Sequence, residues 1–288
     1  MQNAGLAALG LNWRYLAFDV PPADLPAALA GAKAMRFIGL NLTVPHKLLA
    51  VDLVEVLDES ARTWGAVNTV RFEAQDSQGQ WLPLARFEAP PAGTIRACGF
   101  NTDADAIIRS LREDLGVNLP GTRILLLGAG GAGRTAALKL AAEGVAELHL
   151  VNRTVAKAME LADEIGRRFP AVRAEVGYPD RPVDLLLNAT SLGLKREDPL
   201  PLPAGAFELG QVRAVYDMIY RPAETPLLQA ARAAGCRTAN GLGMLLYQGA
   251  RALELWTGQA APLAAMRTAL QRNVYGEPSR DTPPALGP

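Results

Sequence analysis

Four apolar residues at 124–127 run directly into Gly128-Ala129-Gly130-Gly131-Ala132-Gly133 and then into an alanine- and leucine-rich stretch. This is G-x-G-x-x-G where its mechanism requires it, after a short buried strand and at the opening of a helix. The first glycine permits a tight turn, the second lets the backbone approach a pyrophosphate, and the third lets helix and strand pack closely. The helix N-terminus then faces the negative charge. Further short apolar runs at 147–151, 184–188 and 214–218 follow at βα spacing, and each reads as a strand buried on both faces. The expected fold class is therefore α/β, with a Rossmann-type dinucleotide-binding domain over residues 106–240.

The preceding hundred residues also alternate. Residues 2–9, 24–34 and 47–56 read as helices, and residues 13–18 and 37–43 as extended. The stretches "GAVNTVRF" and "TIRACGFNTD" read as two strands of a hairpin. The polar, proline-rich segment between them reads as a surface insertion. This region, residues 1–105, is expected to form a second α/β domain. Two helical stretches run from about 241 to 274, and the tail over 275–288 is too polar and proline-rich to bury a core, so it is expected to be disordered.

Charge narrows the partners. Twenty-nine basic residues balance twenty-nine acidic ones, so no net field favours nucleic acid or an anionic membrane. No uncharged run is long enough to span a bilayer. Cys98 and Cys236 lie far apart, and two histidines cannot supply a zinc cluster. The expectation is a cytoplasmic protein with a small-molecule partner and no metal.

The strand ending at residue 151 is followed by Asn152, Arg153 and Thr154, with Lys157 one turn on. An acidic residue that would receive the ribose hydroxyl of NAD is missing there. A guanidinium matches a phosphate in charge and geometry, so NADP is favoured. Thr190 and Ser191 follow the next strand, and Asp217 and Tyr220 the one after. Ligands of open α/β sheets sit outside the carboxyl ends of strands, which makes these residues candidates for the cofactor rim or the substrate wall. In "NLTVPHK", Pro45 ends an extended segment and Lys47 enters a helix. In "GFNTD", Asp103 is either an N-cap or the partner of Lys47. Reduction of a ketone by NADPH needs a proton for the developing alkoxide, and a lysine held by a carboxylate can supply it. Asn68 and Thr43 would be neutral hydrogen-bond partners for a polyol.

Taken together, "NLTVPHK", "GAVNTV", "GFNTD", "GAGGAGR", "VNRT", "NATSLG", "YDMIY", "GLGML" and the glutamine of "LLYQGA" resemble the shikimate dehydrogenase family in order and spacing, as far as about residue 258. The resemblance implies reversible NADPH-dependent reduction of 3-dehydroshikimate to shikimate, a step of chorismate and aromatic amino-acid biosynthesis. It implies that Lys47 is the catalytic lysine and Asp103 its partner. Thr43, Asn68, Tyr220 and Gln248 would contact substrate hydroxyls or carboxylate. Gly128, Ala129, Gly130, Gly131, Ala132, Gly133, Asn152, Arg153, Thr154, Thr190, Met218 and Gly241 would line the NADP site. It also implies two α/β domains flanking a cleft, with the last helices returning to the first domain.

Three departures accompany the resemblance. The family's opening strand and its Ser-x-Ser-Pro turn have no counterpart before "MQNAGLAALG", so the natural chain is expected to begin upstream. Asp105 stands where a glycine is expected and could shift the helix start. The segment between Phe72 and Cys98 is longer than the family needs, and is expected to be surface decoration or a homodimer contact. A quinate/shikimate dehydrogenase using NAD or NADP, and a non-catalytic NADP-binding paralogue, are the alternatives.

Overall fold

The computed structural model describes residues 1–89, 91, 93–195 and 197–276. They form two compact units, Met1–Asp103 with Gln248–Ala269, and Ala104–Tyr247 with residues 270–276.

In the first unit, helices α1 (Gln2–Ala8) and α2 (Leu25–Ala34) lead to strand β1 (Gly39–Asn41). Then come α3 (His46–Leu49), β2 (Val56–Leu57), α4 (Glu59–Trp64), β3 (Thr69–Gln75), β4 (Trp81–Pro83) and β5 (Ile95–Phe100). The sheet runs β1-β3-β5-β2, with β4 also on β3. Strand β3 is antiparallel to β1, β4 and β5, and β2 is parallel to β5. Alternation along β3 sends Val70, Phe72 and Ala74 into a core with Leu25, Leu29 and Ala97. Residues Thr69, Arg71 and Glu73 therefore project from the other face.

The second unit begins with α5 (Asp103–Leu115). It continues through β6 (Arg123–Leu127), α6 (Gly131–Ala142), β7 (Glu147–Val151), α7 (Val155–Arg168), β8 (Arg173–Val176), β9 (Val183–Asn188), β10 (Val212–Asp217), α8 (Pro226–Ala233) and β11 (Arg237–Asn240). All strands are parallel, in the order β11-β10-β9-β6-β7-β8. The order reverses between β6 and β9, the switch point at which such sheets bind ligands. Leu125, Leu127, Leu186 and Val215 anchor the core of this unit.

Helices α9 (Leu242–Thr257) and α10 (Leu263–Tyr275) are the last elements among the described residues. From Gln248 to Ala269 they belong to the first unit, where the Trp256 indole donates to the Val70 carbonyl at 2.9 Å. Gly39 makes this possible, because a Cβ there would overlap both the indole and that carbonyl oxygen. Gly39→Ala should therefore destabilise the first unit by about 1–3 kcal/mol, read as a lower Tm with cofactor binding intact. The last turn of α10 groups with the second unit, where the Tyr275 hydroxyl donates to the Tyr220 carbonyl at 2.8 Å.

Several sequence expectations change. Residues 13–18 join no ladder. Tyr15 is held instead by side chains: its N–H donates to Asn3 Oδ1, and its hydroxyl to Asn41 Oδ1. The helix expected over 47–56 stops at Leu49, passes through a 3-10 turn at Ala50–Asp52, and yields to β2. Branched Val51, Val54 and Val56 favour that outcome, and the β5 edge captures Val56 and Leu57. The insertion is more than decoration, because β4 extends the sheet and Leu84 and Phe87 pack into the core. Asp105 leaves the start of α5 in place and bonds Lys139 Nζ at 2.9 Å. An acidic residue in a first helical turn is favourable in any case. The polar edge strands β8 and β11 are additions that the apolar runs do not signal. In the tail expected to be disordered, residue 275 is helical and residue 276 is also described, while 277–288 lie outside the described residues.

Candidate active site and cofactor site

In the first unit, the turn ending at Pro45 aims the first residues of α3 so that Lys47 Nζ donates to Asp103 Oδ2 at 2.7 Å. The side chains are 27% and 15% exposed, partly shielded yet open to a reactant. Each is anchored through the main chain: the Lys47 carbonyl accepts Val67 N–H, and Asp103 N–H donates to Asn101 Oδ1. Of the two readings left open for Asp103, its carboxylate takes the pairing with Lys47.

Asn68 is buried beside this pair. Its Oδ1 accepts from the Thr102 N–H at 2.8 Å and from the Thr69 hydroxyl, and its Nδ2 donates to Thr102 Oγ1. The carboxamide thus fixes the residue preceding Asp103, a role for Thr102 and Thr69 that no short motif signals. Thr43 is exposed at the mouth of the turn. Gln248, on α9, belongs to this same unit and is half-buried. Tyr220 belongs to the second unit and is exposed.

In the second unit the glycines divide by function. Gly128 has φ +103°, and a Cβ there would press on the Ala189 backbone at 2.9 Å; a Cβ on Gly133 would overlap the Gly128 carbonyl oxygen. Those two glycines are demanded by the fold. Gly130 and Gly131 face open space, with no protein atom within 4 Å of the Cβ position. That space, above the uncapped N-terminus of the twelve-residue α6, fits a pyrophosphate. Ala129 and Ala132, each with a single methyl side chain, are part of this turn and helix start. The Ala129 N–H donates to Asn152 Oδ1 at 3.0 Å, and Asn152 Nδ2 donates to the Thr154 carbonyl, so one carboxamide ties the glycine turn to the next loop. Thr154 begins α7 without a side-chain cap bond, leaving its hydroxyl unspent.

Arg153 and Lys157 are exposed and have no carboxylate within ion-pair distance among the described residues. Neighbouring Arg134, by contrast, is paired with Glu164. A hollow beside the turn is bounded by Gly130, Gly131, Arg134 and Lys157. Two cations left uncompensated next to a pyrophosphate cradle suit a phosphorylated ribose.

On the other side of β6, Asn188 and Asp217 end β9 and β10 in register and are both fully buried. Asn188 Oδ1 accepts from the N–H and hydroxyl of Thr190 at 3.1 and 2.7 Å, while its Nδ2 donates to Asp217 Oδ1 at 2.9 Å and to the Leu192 carbonyl. Asp217 Oδ1 also accepts Ile219 N–H, and Oδ2 accepts the Thr225 hydroxyl at 2.6 Å. Asp217 is therefore no rim residue: the network consumes it from within. Ser191 is exposed on the loop. Met218 N–H donates to the Asn188 carbonyl, and Gly241 lets its own backbone close on Met218, since a Cβ there would overlap the Met218 carbonyl.

Comparison with known proteins shows the family. Residues 1–70 match the model described as "Shikimate dehydrogenase substrate binding domain", residues 110–176 "Shikimate / quinate 5-dehydrogenase", and residues 241–271 "Shikimate 5'-dehydrogenase C-terminal domain". Shikimate dehydrogenase (NADP(+)) of Moorella thermoacetica is 44% identical, over 94% of this chain and 87% of its own. The crystal structure of shikimate 5-dehydrogenase from Thermus thermophilus in complex with NADP(H) and shikimate superimposes with a TM-score of 0.76 at 35% identity, covering 94% of this chain and 92% of that one. The ligand-free 5-ketofructose reductase of Gluconobacter sp. strain CHM43 gives 0.77 at 33% identity, covering 94% and 91%. With relatives of this identity matched along nearly the whole chain, and with a lysine–aspartate pair and a glycine-turn cradle in its two units, the protein belongs to the shikimate dehydrogenase family.

Proposed function

We propose that this protein is an NADP-dependent shikimate dehydrogenase, an oxidoreductase that interconverts 3-dehydroshikimate and shikimate. The observation that carries the reading is the 2.7 Å bond between Lys47 Nζ and Asp103 Oδ2. NADPH, when bound, supplies the hydride equivalent. Lys47 donates a proton to the substrate oxygen on which negative charge develops, and accepts it back in the reverse direction. Asp103 orients the ammonium group, and Asn68, through Thr102, holds the main chain on which Asp103 sits. Thr43, Asn68, Tyr220 and Gln248 are the substrate's hydrogen-bond partners. The glycine turn, Asn152, Arg153, Thr154, Lys157, Thr190, Met218 and Gly241 hold the cofactor.

Shikimate-dependent reduction of NADP tests the reading, with quinate and NAD as parallel controls. Turnover with shikimate and NADP supports it. Preference for quinate or NAD would replace it with the quinate/shikimate reading, and no turnover by a folded protein that binds NADP would leave a cofactor-binding paralogue. The free cations favour NADP: Arg153→Ser should weaken NADP binding about 10–100-fold while leaving NAD nearly unchanged, measured by titration.

A cytoplasmic location belongs to the same reading. Both cysteines are free and buried, and desolvation first of all, with Glu73 nearby, pushes the Cys98 thiol up to about 11. Among the described residues no helix is long and apolar enough to cross a membrane. Self-association as a homodimer is checked by light scattering.

A further inference from the structure

Asp217 is fully buried, yet among the described residues it has no lysine, arginine or histidine within ion-pair distance. The groups that face it are Asn188 from β9, the Ile219 N–H and Thr225 from the start of α8, and none of these titrates. A buried carboxylate held only by neutral donors leaves its charge uncompensated, and low local dielectric carries that charge further than water would.

Its place in the sheet says what feels the charge. The glycine turn follows β6, and the phosphate-binding loop with Arg153 follows β7 on one side of it. The other mononucleotide must extend the opposite way from the switch point, over the carboxyl ends of β9 and β10. There Asp217 controls both flanks. Through Asn188 it fixes the Thr190 loop, and through Ile219 N–H it fixes the turn after Met218. A nicotinamide ring carries a positive charge when oxidised and none when reduced.

We infer that Asp217 positions the nicotinamide half of the cofactor site and, through its uncompensated charge, favours the oxidised cofactor over the reduced one. The inference rests on the cofactor reading proposed above.

Calorimetric titration of the full chain with NADP+ and with NADPH, in the absence of substrate and at a pH above the one where the Tm difference between wild type and Asp217→Asn levels off, so that the carboxyl is ionised, tests it. In Asp217→Asn the shape and most hydrogen bonds are preserved and only the charge is lost. Its affinity for NADP+ should fall about tenfold more than its affinity for NADPH, the size expected of a unit charge on the order of 10 Å away at an effective dielectric of about 20. Asp217→Ser, which also lacks the charge and cannot mispair with Thr225, should change the ratio in the same direction.

Thermal unfolding supplies a second readout. Desolvation raises the Asp217 carboxyl above its ordinary value, against the hydrogen bonds from Thr225, Ile219 and Asn188. Folding therefore favours the protonated form, so the stability it lends is present below the unfolded-state value and lost as pH rises through the folded-state one. The Asn variant should gain in Tm relative to wild type as pH rises from the ordinary carboxyl value through the raised one. Equal weakening of both cofactor forms, or of neither, in a folded variant would reduce Asp217 to a structural residue. A wild-type protein that binds neither NADP+ nor NADPH would overturn the cofactor reading itself, and the inference with it.

Discussion

Lys47→Ala should lower turnover of shikimate by about 10²–10⁴-fold, the contribution expected of a positioned general acid–base group, while leaving the dissociation constant for NADP unchanged. The split follows from where the lysine sits. Lys47 and Asp103 lie in the first unit, whereas the glycine turn and its neighbouring cations lie in the second. On the proposed reading, removing the ammonium group deletes the proton donor and leaves the residues of the glycine turn unchanged. Steady-state kinetics with direct NADP titration of the same sample measures both quantities. A variant retaining wild-type turnover would remove Lys47 from the chemistry, and one that lost NADP affinity equally would show that its effect is on folding. Asp103→Asn should also lower turnover, by less, because the carboxamide can still orient an amine but no longer stabilises its charge.

The second large effect is expected at Gly133. A Cβ there overlaps the Gly128 carbonyl oxygen, which is backbone and cannot swing aside as a side-chain tip could. Gly133→Ala should therefore push α6 away from β6, destabilise the second unit by about 1–3 kcal/mol, and reduce NADP binding severely. Gly131→Ala is the informative contrast, since its Cβ position has no protein atom within 4 Å. It should keep the wild-type Tm and weaken NADP alone, because the space it fills is the one proposed for the cofactor. If both variants behaved alike in thermal unfolding and in titration, the division of these glycines between fold and ligand would be wrong.

Much of this was legible in the sequence for a physical reason. Strands β6, β9 and β10 are short apolar runs because both their faces are covered, and periodicity detects that directly. The glycine turn is legible because few backbone shapes require glycine at those spacings. Edge strands carry less signal. β8 and β11 contain exposed arginines and polar neighbours, since only part of each is buried, and no apolar run marks them.

The segment at 13–18 fails in the opposite sense. Its aromatic and aliphatic residues have strand character, but a strand needs a backbone partner, and the structure gives it side-chain anchors from Asn3 and Asn41 instead. At Lys47 the local pattern announces only a turn and a helix start. Its partner lies 56 residues away, and no local rule joins them.

What the sequence by itself determined is therefore the type of each unit, the glycine turn and the cofactor's phosphate preference, all properties of contiguous residues with their own periodicity or steric demand. Only the tertiary structure decided between the two readings of Asp103 in favour of Lys47, and showed that Asn68 holds Thr102 and that Asp217 is buried rather than on the rim. These depend on strand register and on which groups lose water when the units close their cores, and such long-range desolvation leaves no mark on neighbouring positions in the chain.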